Sequence, residues 1–212
     1  MRVALSPSTR HRYNSVESLS ALRRMKIDRI YTRGGDRGQT SLGDGARVAK
    51  NSLRICAMGG VDEANAAIGV AIASTPGAEW SAILLRVQND LFDLGADLCV
   101  PHPGKGEQRE RLRLAEGQVE ALEAEIDRVN ASLGPLTSFV LPGGSPAAAQ
   151  LHLARTIVRR AERDVAELAG SEALNPELLK YLNRLSDLLF VLARQANDGG
   201  ARDVLWQPGL NR

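Results

Sequence analysis

Aromatic side chains make up only 4% of the 212 residues, cysteine occurs twice and histidine three times. Each scarcity removes a class of protein. Cys56 and Cys99 lie far apart and form no CxxC pair, so neither a disulfide framework nor a cysteine-held metal is indicated; they read as two reduced core thiols. His11, His102 and His152 are scattered through the head, a Pro/Gly-rich stretch and a helical pattern, and suggest no Ser-His-Asp arrangement. No Glu-x-x-His tetrapeptide occurs, which removes the metal-carboxylate helix bundles. There is no GxxxxGK[ST] phosphate loop, and no strand-helix alternation surrounds a GxGxxG. No apolar run approaches the ~18 residues of a membrane span.

Charge is nearly balanced, at +2 overall, but unevenly placed. Residues 1–26 hold six of the 27 cations and one of the 25 anions, which leaves 21 against 24 in residues 27–212. A mildly acidic body argues against a broad nucleic-acid surface. The Arg- and Ser-rich head lacks the apolar stretch of a secretory signal. It reads as a disordered, dispensable extension, a transit peptide, or an over-extended start with Met25 as the first residue. The remainder, 27–212, reads as one domain in a reducing compartment: the cytoplasm, or the mitochondrial matrix if the head is a transit peptide.

What is plentiful is Ala, Leu and Arg, the vocabulary of helices. Five helical patterns follow a glycine-rich stretch, with no detectable repeat or second domain. Residues 59–74 put Val61, Ala64, Ile68 and Ala71 on one face, and residues 79–98 repeat Leu84, Val87, Leu91, Leu94 and Leu98 at 3-4 spacing. "VPHPGKGEQ" breaks that pattern, and residues 111–132 resume it with Leu112, Ala115, Val119, Leu122, Ile126 and Val129. Ser145 and Pro146 suit the N-cap and first turn of a fourth helix to about Ala169; Asn175 and Pro176 open a fifth to about Asn197. The fold class is therefore all-α: an up-and-down five-helix bundle preceded by a glycine-rich loop.

Several polar residues sit where a core-forming helix does not need them. At ~100° per residue, Arg155, Arg159 and Glu162 line one margin of the fourth helix's apolar stripe, with Arg163 slightly further round. Such a line suits guanidinium groups aimed into a groove, and equally a surface ion pair. Arg160 points away and reads as solvated. On the fifth helix, Asn183 and Asp187 stack one turn apart beside the core line of Leu185, Leu188, Leu189 and Leu192. Asp62 and Asn65 share one side of the first helix, where Asp62 also suits a first-turn acid. The loop "YTRGGDRGQTSLGDGARVAK" frees backbone amides at Gly34, Gly35, Gly38, Gly43 and Gly45. Beside them stand the hydroxyls of Thr32, Thr40 and Ser41 and the cations Arg33, Arg37 and Lys50. Glycine-borne amide nests with cations are a fit for a polyphosphate.

Three long segments together carry a resemblance: "RIYTRGGDRGQTSLGDGARVAK", "FVLPGGSPAAAQLHLARTIVRRAERDV" and "YLNRLSDLLFVLARQAN". They are similar to the PduO-type corrinoid (ATP:cob(I)alamin) adenosyltransferases, and "GGVDEANAAIG" and "LFDLGADLCVP" fit in the expected order. The resemblance spans about residues 27–212. Ala64, where a larger aliphatic is usual, and Gln195, where an aromatic is common, depart from the pattern.

The resemblance implies transfer of the 5′-deoxyadenosyl group of ATP to cob(I)alamin, with release of inorganic triphosphate and assistance by Mg²⁺. It implies a homotrimer with each site between two subunits. Thr32, Arg33, Gly34, Gly35, Thr40, Ser41 and Lys50 would fold over the triphosphate. The segment Arg159, Arg160, Ala161, Glu162 and Arg163, with Asn183, would contact ATP. Asp62 and Arg155 would join neighbouring subunits beside the site and, with Arg159 and Glu162, serve catalysis. Phe139 would lie against the lower face of the corrin ring. No protein ligand to a metal is implied, and no nucleic-acid or membrane partner. A reductase and an adenosylcobalamin-dependent enzyme would be partners. Two rivals remain beside this reading: a non-catalytic ATP sensor or cofactor-delivery protein, and a small kinase that would release ADP.

Overall fold

The computed structural model describes residues 30–75, 77–102 and 111–212. The head at 1–26, with His11, and most of the Pro/Gly connector at 103–110 lie outside the described residues. The chain divides between Asp36 and Arg37, and its larger compact unit runs from Arg37 to Arg212.

That unit opens with a hairpin that periodicity did not reveal, because each strand has only three residues: β1 (Gln39–Ser41) pairs antiparallel with β2 (Arg47–Ala49), Thr40 opposite Val48. Gly45 takes φ 92° at the turn, a value L-residues rarely adopt, and its amide donates to the Leu42 carbonyl at 3.0 Å. Five helices come after it: α1 (Leu53–Ala73), α2 (Ser81–Cys99), α3 (Glu116–Asn130), α4 (Pro146–Ala169) and α5 (Glu177–Ala196). The Gly43 amide donates to the Cys99 carbonyl at 2.9 Å, pinning the hairpin to the end of α2.

The helices pack in the order α2, α1, α4, α5, α3. Side chains close the ring, since Gln118 of α3 donates to Asp90 and Asp93 of α2, and Arg86 of α2 pairs with Glu125 of α3. The expected stripes of α1, α2, α4 and α5 are all buried, from Val61 through Leu98 and Leu151 to Leu192. Burying apolar surface is worth about 25 cal/mol per Å², so this continuous leucine- and alanine-rich core is the main source of stability.

Two boundaries differ from the sequence reading, each for a local reason. Helix α1 begins at Leu53, not residue 59, so Gly59 and Gly60 lie well inside it rather than at its start. A Cβ on Gly60 would come within 3.3 Å of the Ala161 Cα and 2.9 Å of an Asp164 oxygen, so the glycine allows α1 and α4 their close approach. Asp62 consequently stands well inside the helix, which removes the first-turn reading.

Helix α3 begins at Glu116, not 111, because the residues before it are held extended by Asp97. The buried Asp97 carboxylate accepts from the Leu114 amide at 3.0 Å, the Asn175 side chain at 2.8 Å and the Arg113 guanidinium. Leu112 is therefore exposed, contrary to its place in the expected stripe. The thiols are also not core: Cys56 is exposed and Cys99 half-buried. Finally, α1 is long and apolar enough to cross a membrane by length and composition, with mean hydropathy 1.3. Its packing between α2 and α4, and the ion pair of its Glu63 with Arg160, are those of a bundle helix.

Candidate functional site

Between α4 and α5 lies an open cleft of about 560 Å³, lined by Arg159, Glu162, Arg163, Lys180, Asn183 and Arg184. Ala166 and Leu179 complete its lining, which draws on one margin of α4 and the start of α5. The Asn183 side-chain amide donates to Glu162 Oε1 at 3.0 Å, and its oxygen accepts from Arg184 Nη1 at 2.6 Å. Arg163 donates to the Arg159 carbonyl at 3.1 Å, one turn back along α4. Four cations thus stand around the Glu162 carboxylate and the Asn183 amide, two of them, Lys180 and Arg184, also ion-paired with Glu177 and Glu123. This cleft can take a polyanion while the carboxylate and amide accept or donate to its polar groups.

A second cleft, of about 680 Å³, runs between the hairpin, α1 and α2. Thr40, Lys50, Asp62 and Asn65 bring polarity to a wall that includes Met58 and Phe92. Asn65 is buried and donates to the Gln88 carbonyl at 3.1 Å, while its own side-chain oxygen has no partner among the described residues. Asp62 is exposed and makes no hydrogen bond or ion pair among those residues. Ser41 lies on the same hairpin, where its hydroxyl accepts from Arg47 at 3.3 Å.

The sequence-derived residues are therefore brought together in two groups, not one. Arg159, Glu162, Arg163 and Asn183 share the α4–α5 cleft; Thr40, Lys50 and Asp62 share the other. Arg155 joins neither: its Nε is buried without a partner among the described residues. Burial, reinforced by Arg159 and opposed by Asp187, pulls its guanidinium below the usual range. No Asp62–Arg155 pair forms among the described residues of one chain. Arg160 ion-pairs with Glu63 outside the cleft, and Ala161 is wholly buried in the core.

Asp187, one turn from Asn183, flanks a different groove beside Phe190 and Arg194. Burial pushes its carboxyl up, against the pull of Arg184 and Arg159. Lys180 and Arg184 are cleft residues the sequence reading overlooked; their spacing of three before and one after Asn183 was the available signal.

Two sequence-derived groups stand elsewhere. Residues 30–36 belong to a separate unit, in which the Arg33 guanidinium lies 5.5 Å from the Tyr31 ring centroid and Arg33 adopts φ 59°. Thr32, Gly34 and Gly35 belong to that unit. Phe139, in the connector before α4, is 77% exposed and rests against Trp206 near the C-terminus, ring centroids 6.0 Å apart.

A ring of five helices with a cation-lined cleft on one flank and a mixed cleft under a hairpin defines an all-α ligand-binding bundle. Residues 30–196 match the family described as cobalamin adenosyltransferase, and the chain belongs to that family. It is 51% identical to the corrinoid adenosyltransferase of Mycobacterium tuberculosis (strain H37Rv) over 189 residues, 88% of this chain and 96% of the relative. With the cobalamin adenosyltransferase of Cupriavidus metallidurans it shares 50% identity over 184 residues, 86% and 96% of the two chains. Its structure resembles that of a single-residue variant of the PduO-type ATP:corrinoid adenosyltransferase from Lactobacillus reuteri, complexed with cobalamin and ATP. The TM-score is 0.79 at 36% identity, covering 85% of this chain and 97% of that one.

Proposed function

We propose that this protein transfers the 5′-deoxyadenosyl group of ATP to a cob(I)alamin-type corrinoid, releasing inorganic triphosphate. The observation that carries the reading is the α4–α5 cleft, where Arg159 and Arg163 flank a Glu162–Asn183 hydrogen bond in a chain of this family. Cobalt(I) supplies the electron pair that forms the cobalt–carbon bond at C5′. The C5′–oxygen bond breaks, its pair leaves with the triphosphate, and cobalt becomes formally cobalt(III). No protein base is needed for this step. What the chain must do is neutralise a leaving group of high charge and aim its ribose. Guanidinium groups and Lys50 suit the first task; a Glu162 held in place by Asn183 suits the second.

Thr40, Ser41 and Lys50 on the hairpin are proposed triphosphate ligands, as are Thr32, Arg33 and the amides of Gly34 and Gly35 in the segment before it. Among the described residues no three His, Cys, Asp or Glu side chains converge as a metal site. Magnesium would enter with the triphosphate, whose oxygens are the hard ligands it prefers. Phe139, with most of its ring exposed, is proposed to face the lower side of the corrin and keep water and a lower axial base from cobalt.

The two clefts belong to one site if one chain's hairpin cleft faces its neighbour's α4–α5 cleft, and we propose a homotrimer built this way. Three features support it. Arg155 has a buried Nε and Asp62 an exposed carboxylate, both without a partner among the described residues. Phe92, Leu85, Val70 and Leu153 leave large apolar side chains exposed. We place the protein in the cytoplasm, with a reductase supplying the cobalt electron and an adenosylcobalamin-dependent enzyme receiving the product.

Purified protein mixed with Mg-ATP and chemically reduced cobalamin is expected to yield adenosylcobalamin and inorganic triphosphate, with no ADP. Binding without turnover would make it a sensor or delivery protein, and ADP release would make it a phosphoryl-transfer enzyme; either result overturns the proposal.

A further inference from the structure

The segment after α5 runs beside the α3–α4 connector and sets Trp206 against Phe139. It is anchored first at Asp203, whose carboxylate accepts from Arg194 Nε at 2.9 Å and from the Asn197 side-chain nitrogen at 3.0 Å. The Arg194 and Asp203 side chains are 7% and 3% exposed, so this is a buried, fully oriented pair. Arg194 also donates to the Gly134 carbonyl at 2.9 Å, tying the same anchor to the α3–α4 connector. From there the segment runs alongside that connector. The Leu141 amide donates to the Val204 carbonyl and the Trp206 amide to the Phe139 carbonyl, each at 2.8 Å, with Val140 bridged antiparallel to Leu205. The Ser138 hydroxyl closes the pairing on the Trp206 carbonyl at 2.7 Å.

This arrangement fixes two aromatic rings that the core does not use. Phe139 is 77% and Trp206 45% exposed, yet their rings are set 6.0 Å apart and tilted by 53°. A phenylalanine alone on a Pro/Gly connector would sample several rotamers, and a ligand would bear the cost of ordering it. A backbone ladder and an indole wall remove that freedom beforehand. The geometry points to Trp206 as a positioning residue for adenosyl transfer: held by the Asp203 anchor, it sets the attitude of the Phe139 ring toward the corrin. This role rests on Phe139 facing the corrin, as proposed for the transfer reaction.

The test compares Trp206→Ala, Trp206→Phe, Phe139→Ala and the Phe139→Ala/Trp206→Ala double variant. The readouts are kcat, separate KM values for ATP and cobalamin, and the absorption and EPR spectra of cob(II)alamin bound with Mg-ATP. Trp206→Ala is expected to lower kcat about tenfold, the scale of a sub-ångström misplacement. It should also reduce the fraction of cobalamin lacking a lower base, with the KM for ATP unchanged. Trp206→Phe should restore most of both, and Trp206→Ala should add nothing in the Phe139→Ala background.

If Trp206→Ala lowers the melting midpoint, Ser138→Ala is read the same way, because it removes only the hydroxyl that holds the Trp206 carbonyl. Wild-type kcat and spectra in Trp206→Ala beside a damaged Phe139→Ala would overturn the positioning role alone. So would additive losses in the double variant. A Phe139→Ala enzyme with wild-type spectra and turnover would overturn the Phe139 reading, and this role with it.

Discussion

Asn183 stands between a carboxylate and a guanidinium: its amide donates to Glu162 at 3.0 Å across the α4–α5 seam, and its oxygen accepts from Arg184 at 2.6 Å. Both valences of one side chain are spent orienting charged neighbours. Glu162→Ala and Arg159→Ala are each expected to lower kcat/KM by about 10²-fold or more, as loss of a preorganised electrostatic contact does. Far-UV circular dichroism should stay that of a folded bundle, since neither residue is buried in the core. Steady-state turnover near the wild-type value would remove that residue from the site.

Asp62 has no partner among the described residues of its own chain, and Arg155 has a buried nitrogen in the same condition. If they meet across subunits, Asp62→Ala leaves Arg155 without its partner. Breaking a buried pair typically costs ~3–5 kcal/mol, less where water enters. Light scattering at falling protein concentration should show the variant dissociating earlier, with activity lost in parallel. An unchanged assembly with full activity would retire the pair.

His152 is 1% exposed, lies 6.2 Å from the Phe190 ring, and neither nitrogen has a partner among the described residues. Burial holds its pKa below the ordinary 6.5; Arg155 pushes the same way and Asp203 opposes. The unfolded chain therefore takes up a proton that the folded chain resists. This contribution to stability is present above pH 6.5 and is lost as pH falls from there through the lower folded value. Urea midpoints should decline over that range in the wild type. His152→Leu should lack that part of the decline and, at a pH of about 7.5, keep its stability within about 1 kcal/mol, because it removes an unsatisfied polar group. Parallel midpoint-against-pH curves for the two proteins would contradict this.

Asp97 gathers Arg113, the Leu114 amide and Asn175, and so joins the end of α2, the approach to α3 and the approach to α5. Asp97→Ala would leave the Leu114 amide unmatched, while Arg113 keeps the Asp97, Val100 and Pro101 carbonyls and Asn175 keeps the Leu114 carbonyl. A loss of about 1–3 kcal/mol is expected from urea denaturation. A loss under about 1 kcal/mol would show that water replaces the carboxylate.

Helix periodicity made most of the bundle legible, because stripes such as Leu84–Leu98 and Leu151–Leu168 are both the sequence signal and the core itself. What stayed hidden depends on partners distant in the chain. Gly60 looks like part of a helix's first turn until α4 is seen to crowd it mid-helix, and Leu112 looks like core until Asp97 holds its neighbours extended. The hairpin's strands are too short to alternate visibly. Among the site residues, Arg159, Glu162 and Arg163 announced themselves by sharing a helix margin, and Asn183 by its place beside a leucine line. That Arg160, next to Arg159, turns instead to Glu63 follows from the same wheel. Their separation from Thr40, Lys50 and Asp62 into another cleft could not be read from either segment alone.

If the protein assembles as the proposed trimer, that separation makes its defects shareable. An Arg159→Ala chain keeps a sound hairpin face, and a Lys50→Ala chain keeps a sound α4–α5 face. In a closed three-membered ring assembled at random from equal amounts of both, about a quarter of the junctions would join two sound faces. Two inactive preparations, unfolded and reassembled together, would then recover activity that neither regains alone.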